Sequence, residues 1–199
     1  EPMAKSMFHQ GHRDLQDLHD GRRVADALEK YRRLSELGDK QRELIEGADF
    51  FFLATAHGDS VDCSFKGGPA GFVRVTGPTS LEWPDFDGNS MYRSLGNILK
   101  SGRAGLLFVR MDGAQERLRV NGSAEIVHDH PRLAEYPGAK MMVRLEAEEI
   151  FPNCPRYIPD LSSEAPSEFL PQKDAPLKKP YWKDFPFIRS ILPKLDPHQ

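Results

Sequence analysis

Apolar residues recur at three- and four-residue steps between Arg13 and Leu37, at Leu15, Leu18, Val24, Ala27, Leu28, Tyr31 and Leu34, with charge between them. This period predicts amphipathic helix, and Gly21 divides it in two. A further helical piece is expected from Asp39 to Ala48, opened by a capping aspartate, with Leu44 and Ile45 on one side. At Asp49 the pattern changes. "FFFLATA" is dense in strand formers and too short for a typical helix, so it predicts a strand. "VDCSFK", "GFVRV" and "SLEW" follow behind short turns, and strands so closely spaced imply an antiparallel meander. "GNSMYRSLGNILKSG" then predicts one inserted helix, capped near Asn89 or Ser90 and closed by Gly102. Strands resume in "RAGLLFVR", "ERLRVNGSAEIVH" and "AKMMVRLEAEEIF", the last two separated by a short helical or irregular bridge around "PRLAEYPG".

About seven antiparallel strands with so few helices predict a mainly β, α+β fold that closes into a small barrel rather than staying an open sheet. Residues 1–48 are expected as a helical layer packed on a barrel of residues 49–160, and residues 161–199 as a tail, within one structural domain. From Phe151 onward the chain carries ten of its sixteen prolines, a density that prevents both helix and central strand. Tyr157, Phe169, Tyr181, Trp182, Phe185 and Phe187 punctuate the same stretch, so the tail is expected to drape over its own barrel or over a partner subunit.

Composition narrows the function. A formal net charge of -3 argues against a general nucleic-acid binder, which needs a dominant basic face. Cys63 and Cys154 form no CxxC pair, so neither a zinc site nor a disulfide scaffold is indicated, and a reduced, cytoplasmic setting is expected. No apolar run approaches the ~18 residues of a membrane-spanning helix. His9 with His12, and His128 with His130, lack a third ligand at a useful spacing, so no metal is expected. "GGPAGF" has neither the lysine nor the spacing of a P-loop, and no nucleophile elbow is present.

Three stretches hold polar groups that could act together. In "DCSFKGG" strand alternation puts Asp62, Ser64 and Lys66 on one face and Cys63 and Phe65 on the other. That face is either the solvated side of an edge strand or a ligand-binding surface, and the glycine pair suits a hairpin turn. In "PDFDGNSMYRSLGN" the start of a helix offers unpaired N–H groups, with Asn89, Ser90, Arg93 and Ser94 beside them and Asn97 on the side of Arg93. It is either an ordinary capped helix or a phosphate seat. Were it to face Ser64 and Lys66, the two would form one site with two cations, suited to a phosphate monoester dianion. In "EEIFPNCPRYIP", Glu148, Glu149, Asn153, Arg156 and Tyr157 crowd the end of the last strand; this is either a rigid exit with Cys154 buried or an edge of the same site. His57 and Tyr157 are the candidates for acid–base work.

Taken in order, "FFLATAHGDSVDCSFKGGPAGFVRV", "WPDFDGNSMYRSLGNIL", "GRAGLLFV", "RLRVNGSAEIV" and "FPNCPRYI" resemble the pyridoxamine 5'-phosphate oxidase-like family of FMN-binding split barrels. The match is to the branch with "CS-[FY]-K-GG" and "FPNCPRYI", and "MFHQGHRDLQD" is similar to that branch's N-terminal helix. The resemblance implies a split barrel that pairs as a homodimer with FMN at the subunit interface. It implies that Ser64 and Lys66 approach the flavin and its phosphate, and that Val73, Arg74 and Val75 offer backbone groups to the ring edge. Asn89, Ser90, Arg93, Ser94 and Asn97 would surround the ribityl chain and phosphate, and Asn153, Cys154 and Arg156 of the other subunit would close the site. The sequence lacks the "R-x-V-L-L-K" strand and the C-terminal "R-x-H" of true pyridoxamine phosphate oxidases. The expected function is an FMN-dependent oxidoreductase acting on a small molecule. The alternatives are a flavin carrier or sensor without turnover, a related barrel binding deazaflavin or heme, and a cofactor-free module using its tail for a partner.

Overall fold

Alternation along the first strand sorts its residues into two environments: Phe51, Leu53 and Thr55 are buried, whereas Phe50 and Phe52 are half-buried and Ala54 is exposed. The computed structural model describes residues 6–110, 116–152, 173, 175–179 and 181–184. The strands are β1 (Phe50–His57), β2 (Ser60–Gly67), β3 (Arg74–Val75), β4 (Ser80–Phe86), β5 (Arg103–Val109), β6 (Arg117–Val127) and β7 (Ala139–Pro152). The α-helices are α1 (Gln10–Leu18), α2 (Arg22–Arg32), α3 (Asp39–Glu46) and α4 (Arg93–Ser101). The strands form one antiparallel sheet in the order β2-β1-β5-β6-β7-β4-β3, so the expected mainly β, α+β class with one helix inserted between strands is what the chain adopts.

The sheet wraps round. β1 and β4 stand four hydrogen-bonded steps apart, which at ~4.8 Å per step would separate them by roughly 19 Å if flat. Instead the rings of Phe51 and Trp83 have centroids 5.4 Å apart, with Phe72 at 5.9 Å and Phe108 at 5.3 Å from Phe51. These rings and the leucines beside them fill the barrel, each contributing roughly 1.5–3 kcal/mol by leaving water. The terminal strands β2 and β3 do not pair with each other, so the barrel stays split.

The expected meander gives way to two hairpins at opposite ends of the sheet. β1 pairs with β2 and β3 with β4, while β4 goes on to pair with β7 across some sixty residues of chain. "GFVRV" supplies only two strand residues. The adjacent glycines are not a hairpin turn either: a Cβ on Gly68 would stand 2.5 Å from the ring of Phe72, so the glycine is required for that ring to tuck into the core.

α3 lies on the barrel through Leu44 and Ile45, and its cap is Gly38, with Asp39 as the first helical residue instead of the expected capping aspartate. α1 and α2 are separate helices on either side of Gly21, as their period predicts. They bury none of their residues, and Leu15, Leu18, Val24, Leu28 and Tyr31 stay exposed. His9 and His12 are accounted for locally: they stack on each other and complete the cap of α1, His9 accepting from the Gly11 N–H at 3.1 Å.

α4 begins later than the Asn and Ser caps suggest. Asn89 turns its side chain back to accept from the Met91 N–H at 3.0 Å, which makes a loop, and Ser90 and Tyr92 both take left-handed backbone conformations with φ of 61° and 48°. A bulky residue in that region is strained, and here it sets the angle at which α4 leaves the loop. Gly102, at φ 63°, closes the helix and donates to the Ile98 carbonyl at 2.8 Å, as expected.

Candidate functional site

The inner face of β2 looks onto the first turn of α4. Ser94 donates to Asp62 Oδ2 at 2.6 Å, and Ser64 Oγ stands 2.9 Å from Ser94 Oγ, so the hydroxyls form a short relay ending on the carboxylate. Arg93 Nε donates to the other oxygen of Asp62 at 3.2 Å and reaches the Val61 carbonyl at 3.4 Å. These bonds pin the start of α4 against β2, an edge strand that backbone pairing holds on one side only.

Beside this seam lies an open cleft of about 190 Å³ lined by β2, the end of β4, the loop 87–92 and the start of α4. Ser64, Lys66, Asn89, Ser90, Arg93 and Ser94, which come from two separate stretches of sequence, all line it. Lys66 is half-buried, and among the described residues its ammonium makes no hydrogen bond or ion pair. The loop is held in place from outside the cleft. Asp87 is ion-paired with Lys140 Nζ at 2.8 Å and accepts from the fully buried Lys183 Nζ at 2.5 Å. Burial works against ionisation of Asp87, but these two lysines outweigh it and hold its carboxyl below the usual range.

Other expected site residues lie elsewhere. Asn97 is buried and donates to Thr55 Oγ1 at 3.2 Å, so it braces α4 on β1. Val73 and Val75 are in the core, and the Val75 backbone is already engaged: its N–H donates to Glu46 at 3.1 Å and its carbonyl accepts from Arg42 at 2.7 Å. Arg74 pairs with Glu135 at 2.9 Å over the ring of Tyr136. Glu148 pairs with Arg103, and Glu149 accepts from Asn121 at 3.1 Å. His57 is exposed and does not line the cleft. Asn153, Cys154, Arg156 and Tyr157 lie outside the described residues.

Asp85, which is not among the expected site residues, also lines the cleft. Its signal is the alternation Leu81, Trp83, Asp85, which places a carboxylate on the core-facing side of β4. On its other face β4 carries Glu82, also buried, beside His130 Nε2 at 3.1 Å and the guanidinium groups of Arg132 and Arg144.

The outer face of β1 and β2 is apolar. Phe50 and Phe65 stack with centroids 5.2 Å apart, Phe52 meets Phe65 at 6.1 Å, and Phe65 remains 62% exposed, as does Val61 at 70%. β2 therefore carries the polar cleft on one face and an uncovered aromatic patch on the other. Among the described residues no group of three or more His, Cys, Asp or Glu could hold a metal ion, and no helix is long and apolar enough to cross a membrane.

The class of molecule is therefore an α+β split antiparallel barrel with a polar cleft where the edge strand meets the inserted helix, in which Lys66 is unpaired among the described residues. The family model described as Pyridoxamine 5'-phosphate oxidase matches residues 37–166, and the chain belongs to that family. No match is found among curated proteins. Three solved structures are similar in part. An FMN-binding protein from Syntrophomonas wolfei is 14% identical, with a TM-score of 0.44, over 71% of this chain and 97% of that one. HupZ from Group A Streptococcus is 16% identical, with a TM-score of 0.45, over 58% and 92%. The FAD binding protein from Mycobacterium smegmatis is 13% identical, with a TM-score of 0.41, over 60% and 97%. Likenesses this distant carry no inference about function.

Proposed function

We propose that the cleft binds the phosphate and ribityl end of FMN, and that the protein is an oxidoreductase passing hydride or electrons between the flavin and a small molecule. The observation that carries this reading is Lys66, a half-buried ammonium without a partner among the described residues, facing a cleft ringed by Ser64, Asn89, Ser90 and Arg93. A phosphate dianion supplies the missing acceptor, and the unpaired N–H groups of the first turn of α4 add donors to it. Family membership supports the same cofactor.

The residues present fit the group in kind, and the cleft's size fits half of a shared site. Pockets that enclose a cofactor-sized ligand run to ~300–1,000 Å³, and this cleft holds about 190 Å³. A second copy, docked on the exposed Phe65 and Val61, would bring more wall to the same strand. The flavin, when bound, supplies the redox chemistry. The chain's own part is to hold the phosphate with Lys66, orient the ribityl chain against Ser64 and the loop 87–92, and exclude water by pairing.

Purified protein with a flavin spectrum that releases a compound of FMN mass is the expected result. A deazaflavin or heme, or colourless protein that takes up no added FMN, would refute it. Bleaching of the flavin absorbance by NADPH or NADH separates an oxidoreductase from a carrier. Sedimentation is expected to show a dimer, and Phe65→Glu a monomer with weaker FMN binding.

A further inference from the structure

Asp85 stands where the barrel core opens into the cleft. Of the inward positions on β4, Leu81 and Trp83 are fully enclosed and Asp85 is 9% exposed, so a carboxylate occupies a place that the pattern of the strand reserves for an apolar side chain. Among the described residues it makes no hydrogen bond and no ion pair. Its carboxylate borders the open cleft, so a ligand seated there would meet an acceptor that no described residue has already engaged. The backbone supplies a second observation. The register of β4 on β7 shifts between Asp85 and Phe86, and such bulges bend a strand and re-aim its side chains, often beside a binding site.

The charges around Asp85 come from every element at this end of the barrel. Lys66 and Asp62 approach from β2, Lys140 from β7, Asp87 from the loop, and Tyr92 and Arg93 from the start of α4. Burial raises the affinity of Asp85 for its proton, Lys66 and Lys140 lower it, and Asp87 raises it; burial prevails and the carboxyl lies above its ordinary 3.8. An anion seated on Lys66 would cancel the larger of the two opposing charges and add a negative one. Both changes favour the protonated acid, which is a hydrogen-bond donor where the carboxylate can only accept.

We propose that Asp85 is a further ligand-binding residue of the cleft: it takes up a proton as a phosphate-bearing ligand binds at Lys66, and donates a hydrogen bond to that ligand. The inference rests on the FMN reading above. It adds to it a coupling between ligand and proton, so that FMN binds more tightly as pH falls, over the range above ~6 where the phosphate stays a dianion. The limit for one coupled proton is tenfold in affinity per pH unit.

Isothermal calorimetry of FMN binding to the full chain, repeated in buffers of different ionisation heat between pH 7 and 8.5, where the phosphate is already a dianion, counts the protons taken up by the protein. The expected result is an uptake approaching one proton at its maximum, with Asp85→Asn binding FMN without it and without the loss of affinity at high pH. FMN binding with no proton uptake by the wild-type protein overturns the proposal and leaves the flavin reading standing, and that measurement requires no variant. The same uptake in Asp85→Asn, shown by its melting curve to be folded, also overturns it. Failure of FMN to bind the wild-type protein at any pH brings down the flavin reading and this proposal with it.

Discussion

Glu82 and Asp85 lie three residues apart on β4, both buried, and their surroundings could hardly differ more. Glu82 faces away from the barrel core and is met by His130, Arg132 and Arg144, so the charge lost from water is compensated on three sides. Asp85 points to the mouth of the core, where the described residues leave its carboxyl without a bonded partner. A buried carboxylate of the first kind is part of the architecture: it holds the segment before β7 onto the strand. One of the second kind costs stability unless something else completes it. The same contrast separates Asp62, which accepts from Arg93 and Ser94, from Lys66 four residues along the strand. Where the chain satisfies its own charges it builds the barrel, and where it does not, the open valences converge on one cleft.

Substitutions can break or sharpen that contrast. The largest effect is expected from Glu82→Ala, which leaves a buried imidazole and two guanidinium groups facing each other. Urea unfolding should show a loss of about 3 kcal/mol, the low end for a broken buried ion pair because Arg132 and Arg144 keep some solvent. Next, Lys66→Ala should weaken FMN binding by about 1.5–3 kcal/mol, the worth of a hydrogen bond to a charged group, and leave the melting temperature nearly unchanged. Flavin fluorescence titration measures the first and a thermal scan the second; an unchanged affinity would remove Lys66 from the site.

Asp85→Asn should go the other way and stabilise the ligand-free protein near neutral pH, by on the order of 1 kcal/mol. The sign follows from the raised proton affinity of Asp85. The folded state holds the proton more firmly than the unfolded chain, so this group's contribution grows less favourable as pH rises through and above 3.8. Unfolding curves at pH 4 and pH 8 should show the variant's advantage only at the higher pH; a constant difference would mean that the charge is not the cause. The smallest effect is expected from Arg93→Ala. Its partner Asp62 is well sheltered, but the arginine side chain is 57% exposed, so the pair should be worth less than about 1 kcal/mol in the unfolding free energy.

Much of this was legible along the chain. The short run of strand formers in "FFFLATA" and the long candidate "ERLRVNGSAEIVH" located β1 and β6, and the glycine after "SLGNILKS" located the end of α4, because each signal is local: composition, propensity, a cap. Ser64, Lys66, Arg93 and Ser94 were also found as candidates, since unusual polar residues at a strand face and a helix start stand out in sequence. Asp85 did not stand out. "WPDF" reads as the end of a short strand and a turn, and only the long pairing of β4 with β7 carries the strand through Pro84 to Asp85. The start of α4 was misplaced for a related reason: Asn89 is a good cap by type, but its side chain is spent on closing a loop.

By itself, then, the sequence determined the number and kind of elements, the two faces of β2 and the donors available to a ligand, because these follow from the order of neighbouring residues. Tertiary structure decided which strands are neighbours, that β2 stands at an edge, and that Lys183 reaches back from the tail to hold Asp87. It also decided which of two buried acids on one strand is left open. Such choices depend on groups brought together from distant parts of the chain by the closing of the barrel, and no local pattern encodes which charges will then find a partner.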